Sequence, residues 1–384
     1  VARVTAPANG PPQAGTSSTR GTVMTVHSTE TTLDQARAEE FANRMVEVLD
    51  TASTSLLLSL GHRLGIFDTM AGSGAMTCAQ VAEAAQLNER YTREWLAGAT
   101  MARLIDYDPR ADTYLLPPEH AACLTRAAGP DNLARFMAVV PLLASVDEKV
   151  EHAFRHGGGV PYSAYTRFHE VMAEMSGEVM DASLINTLLP MMDGLPERLA
   201  MGIDVADIGC GRGHAVNVMG RTYPDSTFVG YDFNDEALAF ARGEADAMRL
   251  SNVRFELRDV ADLGVTEEFD LVTAFDSIHD QAHPAQVLAA IHQALRPSGG
   301  FLMVDVRASS HLHENMDMPL GTFLYTVSLM HCMTVSLALE GDGLGTAWGE
   351  QKARELLAEA GFGDVQVMEI DTDPLDSCYV AKKT

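Results

Sequence analysis

Beyond Gly202 the sequence alternates short β-rich runs with helical ones, and this constrains the fold more than any other feature. Residues 205–208, 227–232, 253–257, 269–275, 301–305 and 365–370 read as strands. Helical patterns fall between them at 214–222, 236–248, 284–295 and 353–360. Such alternation builds a parallel sheet with helices on both faces. The last strand, 377–381, follows the 371–376 turn too closely for a helical crossover and must run antiparallel. The expectation is an α/β sheet of six parallel strands plus one antiparallel C-terminal strand.

The region ahead of this sheet has a different texture. Residues 1–32 are rich in Thr, Ser, Pro, Gly and Ala, without an apolar signal core, and read as disordered. The internal Met24 points to a natural start downstream of Val1. Helical periodicity runs over 33–49, and a second apolar helix at 54–64 stops at Gly65. Thr77 is placed to cap a helix over 78–85, a turn at Leu87-Asn88 leads into a helix over 89–104, and 105–108 and 113–116 form a short hairpin. Helix, turn, helix and two-stranded wing make a winged-helix domain over 33–131. A helical connector and pocket cover follows over 132–201, broken at Gly157-Gly158-Gly159 and Pro161.

Charge decides what the winged helix is for. The chain carries 27 Lys+Arg against 53 Asp+Glu, a formal net charge of −26. Between Thr77 and Pro118 the bases Arg90, Arg93, Arg103 and Arg110 are outnumbered by Glu83, Glu89, Glu94, Asp106, Asp108 and Asp112. A groove-reading helix needs phosphate contacts on its flanks, so dimerisation is expected here and nucleic acid is not. The same acidity disfavours an anionic membrane surface. No segment approaches about 18 uninterrupted apolar residues. Five scattered cysteines without a CxxC spacing suit a reducing cytoplasm, and no metal-ligand spacing occurs among the histidines.

The chemistry concentrates at successive strand ends. The first strand runs into Asp207-Ile208-Gly209-Cys210-Gly211-Arg212-Gly213 and then directly into a helix. Glycines let the backbone turn sharply and let a ligand approach the main chain. A dinucleotide loop would carry glycine where His214 stands, and Asp207 would repel a pyrophosphate. A cationic ligand would favour that carboxylate. Asp232 ends the second strand, where it can accept from both hydroxyls of a ribose, and Asp259 ends the third, where it can accept from an adenine amino group. Each could be an ordinary turn acid; three in register describe an adenosine-shaped site without phosphate chemistry.

With these residues, 202–384 resembles a class I S-adenosylmethionine-dependent methyltransferase, a Rossmann-like fold. Phe269-Asp270-Leu271-Val272 and Leu295-Arg296-Pro297-Ser298-Gly299-Gly300 match that family's further motifs in order. With the winged helix, the chain from about Leu33 resembles bacterial, actinobacterial-type winged-helix methyltransferases, and more distantly plant-type O-methyltransferases. The resemblance implies that Asp207, Gly209, Gly211 and Gly213 hold the methionine part of the cofactor. It implies that Asp232 takes the ribose, that Phe233 packs on adenine, that Asp259 with Val260 reads the adenine edge, and that Phe275 also belongs to the cofactor site.

In plant-type relatives a His-Asp pair follows the fourth strand and its histidine is the general base. His279-Asp280 stands in that place, although the family's following Trp is Gln281 here. Without the resemblance, His279 simply lines the entry to the helix at Pro284. A long insertion over 307–349, with its helical part at 320–339, reads as a lid. It carries Phe323, Met330 and His331, the last a second candidate base. Tyr162, Tyr165, Phe168, His169 and Met172 are the candidates to close the other side of a substrate pocket. The expected protein is a cytoplasmic homodimer, joined through its N-terminal domain, that methylates a small apolar or aromatic molecule, with oxygen as acceptor. Transfer to nitrogen, sulfur or carbon, and a non-enzymatic cofactor-binding regulator, are the alternatives.

Overall fold

A computed structural model describes residues 33–371 and 373–383. The expectations for 1–32, disorder and an internal start, lie outside these described residues. The chain divides into two units, one ending at Asp50 and one beginning at Thr51, and each is taken by itself.

Instead of two helices, one continuous helix spans Gln35–Arg63. The reason is local: Asp50-Thr51-Ala52-Ser53 contains neither Gly nor Pro, so nothing interrupts the backbone ladder there. Gly65, at φ 66°, stops it as expected. In the first unit Phe41, Met45, Val46 and Val48 are exposed on this helix.

The winged-helix part of the second unit follows the sequence closely. Thr77 and Gln80 form a reciprocal capping box ahead of Cys78–Ala84: the Thr77 hydroxyl accepts from the Gln80 amide, and the Gln80 carbonyl oxygen accepts from the Thr77 amide at 2.8 Å. The next helix is Glu89–Met101, and the wing pairs β1 (Asp106–Asp108) with β2 (Thr113–Leu115). Phe67, Val81, Trp95, Leu96 and Ala99 form its core. Arg90 and Arg93, the bases a groove-reading helix would aim at phosphates, pair with Glu94 and Glu89 on their own helix.

The large sheet contains β3 (Asp204–Ile208), β4 (Thr227–Asp232), β5 (Val253–Leu257), β6 (Phe269–Phe275), β7 (Leu295–Val306), β8 (Gly363–Ile370) and β9 (Asp373–Lys382). Their order is β5-β4-β3-β6-β7-β9-β8, and β9 alone runs antiparallel to its neighbours β7 and β8. Six parallel strands and one antiparallel strand are therefore present, as expected. β7 is longer than its predicted span because Leu295 already pairs with Phe269 of β6, ahead of a register irregularity after which Gly300 pairs with Leu271. One apolar cluster, including Val272, Leu288, Ile291 and Phe301, packs one face; Leu184, Leu199, Val216 and Leu302 belong to the cluster on the other. Each such fully buried side chain contributes about 1.5–3 kcal/mol.

Two further segments position the site. The cover helix, Phe168–Ser183, contacts the helix His214–Thr222 that follows the glycine loop. The insertion forms helices Gly321–Val327 and Met333–Ala338 joined through a π-turn, Ser328–Cys332. By length and composition Gly321–Ala338 is apolar enough to cross a membrane. Here its His331, Cys332, Thr334 and Val335 are buried in protein, and Val160 of the connector donates its amide to Thr334 O at 3.1 Å.

Candidate active site

Strand order reverses between β3 and β6, and open α/β sheets hold ligands in the crevice at such a switch point. The glycine loop leaves β3 here. Gly209, Gly211 and Gly213 all have φ between 53° and 73°, a region L side chains rarely adopt. A Cβ on Gly213 would lie 2.5 Å from the Phe255 ring, whereas one on Gly211 would meet nothing within 4 Å. Gly213 is thus fixed by packing, and Gly211 faces space that a ligand could fill.

Acids surround that space. Asp207 is buried, and its Oδ1 accepts from the Thr273 hydroxyl at 2.6 Å. Burial lifts its carboxyl to about 7, against the pull of that hydrogen bond and with help from Asp232. Asp232 accepts the Gly211 amide at 2.9 Å and the Asn234 amide at 2.8 Å, so it braces the loop and keeps one further lone pair on each oxygen. Phe233 exposes its ring beside it. Asp259 is exposed and accepts from the Ala261 amide, while Val260 is buried. Phe275 is half-buried and packs against the apolar cluster.

At the end of β6 the histidine finds a different partner from the one its sequence neighbour suggests. His279 Nδ1 lies 2.8 Å from Asp305 Oδ1, at the end of β7, and both side chains are buried. The Trp348 indole N–H donates to the same oxygen at 3.0 Å. Burial pushes the imidazole down, but Asp305 and the Cys332 thiol outweigh it and hold His279 well above its usual range. Asp280 instead accepts from the Tyr162 hydroxyl. Burial lifts Asp280 to about 6 against the opposing His279 and Tyr162.

Tyr162 joins the two halves of the site. Its ring centroid is 5.1 Å from Phe233 and 5.2 Å from His331, and it also meets Phe168 at 5.5 Å and His169 at 6.4 Å. His331 stacks on Phe168 at 4.0 Å and takes the edge of Tyr165 at 4.8 Å. Burial, then the nearby His279 and His169, push His331 down to about 3, so its ring is neutral; its buried Nε2 has no hydrogen-bond partner among the described residues. Tyr165 donates its hydroxyl to Met330 O in the π-turn. Met172, Phe323 and Met330 pack, half-buried, into the same cluster. His169 approaches the cofactor side: burial lowers its pKa, and Asp232, Arg212 and Glu236 all face it.

Asp305, Thr273, Trp348 and Cys332 were not singled out from sequence. Only Asp305 carried a readable signal, an acid at the carboxyl end of a parallel strand.

Comparison with known proteins fits this geometry. Residues 200–371 match the family described as a methyltransferase domain, and residues 52–126 match the Rv2258c-like winged HTH domain. The chain carries a winged-helix domain and a methyltransferase domain. Such a methyltransferase takes S-adenosylmethionine as its cofactor, and the crevice fits it: open space at Gly211, an Asp232 with a further lone pair on each oxygen, an exposed Phe233 and an acid at Asp207. A fatty-acid O-methyltransferase of Mycolicibacterium smegmatis is 30% identical over 114 residues, which is 29% of this chain and 40% of that protein. The chain thus matches less than half the length of that relative. Human N-acetylserotonin methyltransferase, solved with SAM, superposes with a TM-score of 0.63 at 20% identity, covering 92% of this chain and 99% of that one. A mitomycin 7-O-methyltransferase gives a TM-score of 0.64 at 18% identity, covering 91% and 98%. These two likenesses establish the fold.

Proposed function

We propose that this winged-helix methyltransferase transfers a methyl group from S-adenosylmethionine to a hydroxyl oxygen of a small, largely apolar molecule. The observation that carries the reading is the buried His279–Asp305 pair at the same sheet edge as the glycine loop. When bound, the cofactor supplies an activated methyl carbon, so the protein's task is positioning and proton removal. Asp207 and the loop at Gly209, Gly211 and Gly213 would hold the methionine part, Asp232 the ribose, and Phe233, Asp259 and Val260 the adenine. Asp305 accepts from Nδ1 of His279, which orients the ring, and Nε2, which the Cys332 thiol faces, would exchange that contact for the acceptor's proton.

The base favours a hydroxyl over a carboxylate. A fatty acid, the acceptor in the mycobacterial relative's name, has already lost its proton at neutral pH and would leave His279 idle. Tyr162, Tyr165, Phe168, Met172, Phe323 and Met330 supply the largely apolar wall that small-molecule pockets have. Asp280 enters through Tyr162, which it anchors. His331, neutral and with its Nε2 unpaired among the described residues, suits a hydrogen bond to the acceptor better than proton abstraction. The exposed Phe41, Met45, Val46 and Val48 support association of two copies through the N-terminal helix, and five unpaired cysteines suit the cytoplasm.

The test uses the purified chain with labelled S-adenosylmethionine and a panel of phenols, aliphatic alcohols and fatty acids. Label transfer to a hydroxyl that is lost in His279→Ala supports the reading. Transfer to fatty acids alone, or turnover indifferent to His279, overturns it.

A further inference from the structure

His214 stands where a dinucleotide loop would carry glycine, and the mechanism above gives it no role. It is the first residue of the helix His214–Thr222, immediately after Gly213. Its Nδ1 lies 2.9 Å from Glu244 Oε1, on the helix Asp235–Met248, and its Nε2 lies 3.2 Å from Asp181 Oδ1, on the cover helix. An ionised carboxylate only accepts, so a ring with both nitrogens on carboxylates donates from both and is a cation. The Glu244 end is fixed further: its Oε2 accepts from Asn217 at 2.7 Å, and Arg221 of the same helix faces it. At the other end the cover helix comes close to the ring. Gly177, one turn before Asp181, would place a Cβ 4.0 Å from it.

That cover helix carries Phe168, His169 and Met172 over the crevice, with His169 facing Asp232. Holding its far end to the helix that opens from the glycine loop therefore holds the cover over the ligand. We propose that His214 is a positioning residue whose imidazolium clasps the cover helix to the cofactor loop, so that closure over the cofactor depends on its proton. This rests on the cofactor reading above.

The groups facing His214 set the direction of its pH dependence. The Glu244 hydrogen bond raises it above its ordinary 6.5 against the opposing effect of burial, and Asp181 adds to the rise. Arg221 reaches the ring only through Glu244. The clasp is thus charged below the raised value and is lost as pH climbs through it. Asp207 acts in the opposite sense, since its carboxylate forms as pH rises through about 7.

The experiment is calorimetric titration of the full chain with S-adenosylhomocysteine from mildly acidic to mildly alkaline pH. The wild type is expected to show an affinity maximum: a rising limb from Asp207, then a fall of about fivefold as His214 loses its proton. His214→Gln should bind about fivefold more weakly at neutral pH and lose the falling limb while keeping the rising one. Asp181→Ala, at a solvent-exposed carboxylate, should behave in the same way and guards against a folding defect in the first variant. If either folded variant keeps the falling limb, or loses affinity equally at all pH values, His214 is only structural and the proposal is wrong. If the wild type binds no S-adenosylhomocysteine at any pH, the cofactor reading itself falls and takes this proposal with it.

Discussion

His279 Nδ1 lies 2.8 Å from Asp305 Oδ1, and this contact joins the ends of two adjacent parallel strands, β6 and β7. Asp305 is held in turn by the Trp348 indole and its neighbour's backbone amide, so the carboxylate cannot rotate away without leaving donors unpaired. The pair fixes both the orientation and the proton affinity of the imidazole.

Asp305→Asn should therefore change two things. Turnover is expected to fall by about a hundredfold or more, the usual cost of disabling a general base. The raised His279 pKa means that activity in the wild type climbs with pH above the ordinary histidine range, as the ring becomes neutral. Without the Asp305 charge that rise should move to lower pH. A pH–rate profile for both proteins checks the point, and an unmoved rise would show that another group titrates.

A second prediction concerns Asp207. Its carboxyl is lifted to about 7, so the folded protein holds a proton there that the unfolded chain releases near 3.8. By linkage this group favours the folded state at low pH, and its contribution fades as pH rises towards 7. A bound cation offsets the loss. Thermal stabilisation by S-adenosylmethionine should consequently be larger above pH 7 than below it, with affinity falling up to about tenfold per pH unit on the acid side. Asp207→Asn should bind weakly and without that dependence.

The glycine loop separates packing from ligand space. Gly213→Ala combines a positive φ with a Cβ 2.5 Å from Phe255, and should cost about 2–4 kcal/mol of stability from strain and overpacking together. Gly211→Ala has the backbone strain alone, about 1–2 kcal/mol. It should fold, yet lose cofactor affinity, because its methyl enters the space left for the ligand. Melting temperature paired with S-adenosylhomocysteine titration distinguishes the two outcomes.

What could be read from sequence was what repeats or what is local. Strands β3 to β9 announced themselves because a sheet covered on both faces demands near-continuous apolar runs. Asp207, Asp232 and the loop glycines were legible because their spacing along the chain is itself the motif. The Thr77–Gln80 cap lay within four residues. Partnerships across the fold were not legible. His279 has an acid beside it in sequence, Asp280, but strand register carries it to Asp305, and Asp280 is taken up by Tyr162 from the connector. His214, between the cover helix and the helix Asp235–Met248, was noticed only as a missing glycine. Apolar periodicity lapses over residues 50–53, yet the helix runs on through them because continuity of the backbone ladder needs only the absence of a breaker.

His331 offers the last test, because stability and function should move apart there. Its Nε2 is buried without a partner, and an unsatisfied buried polar atom costs about 1–3 kcal/mol. Such a cost is tolerated where a ligand supplies the missing bond. His331→Leu keeps an apolar body of similar size against Phe168 and Tyr165 and removes the orphan atom. The ligand-free variant is expected to melt at the same temperature as the wild type or higher, while turnover falls through a raised KM for the acceptor. Because the ring is already neutral at working pH, the shape of the pH–rate profile should not change. A lower melting temperature would place His331 among purely structural residues, and a displaced pH profile would return it to the role of base.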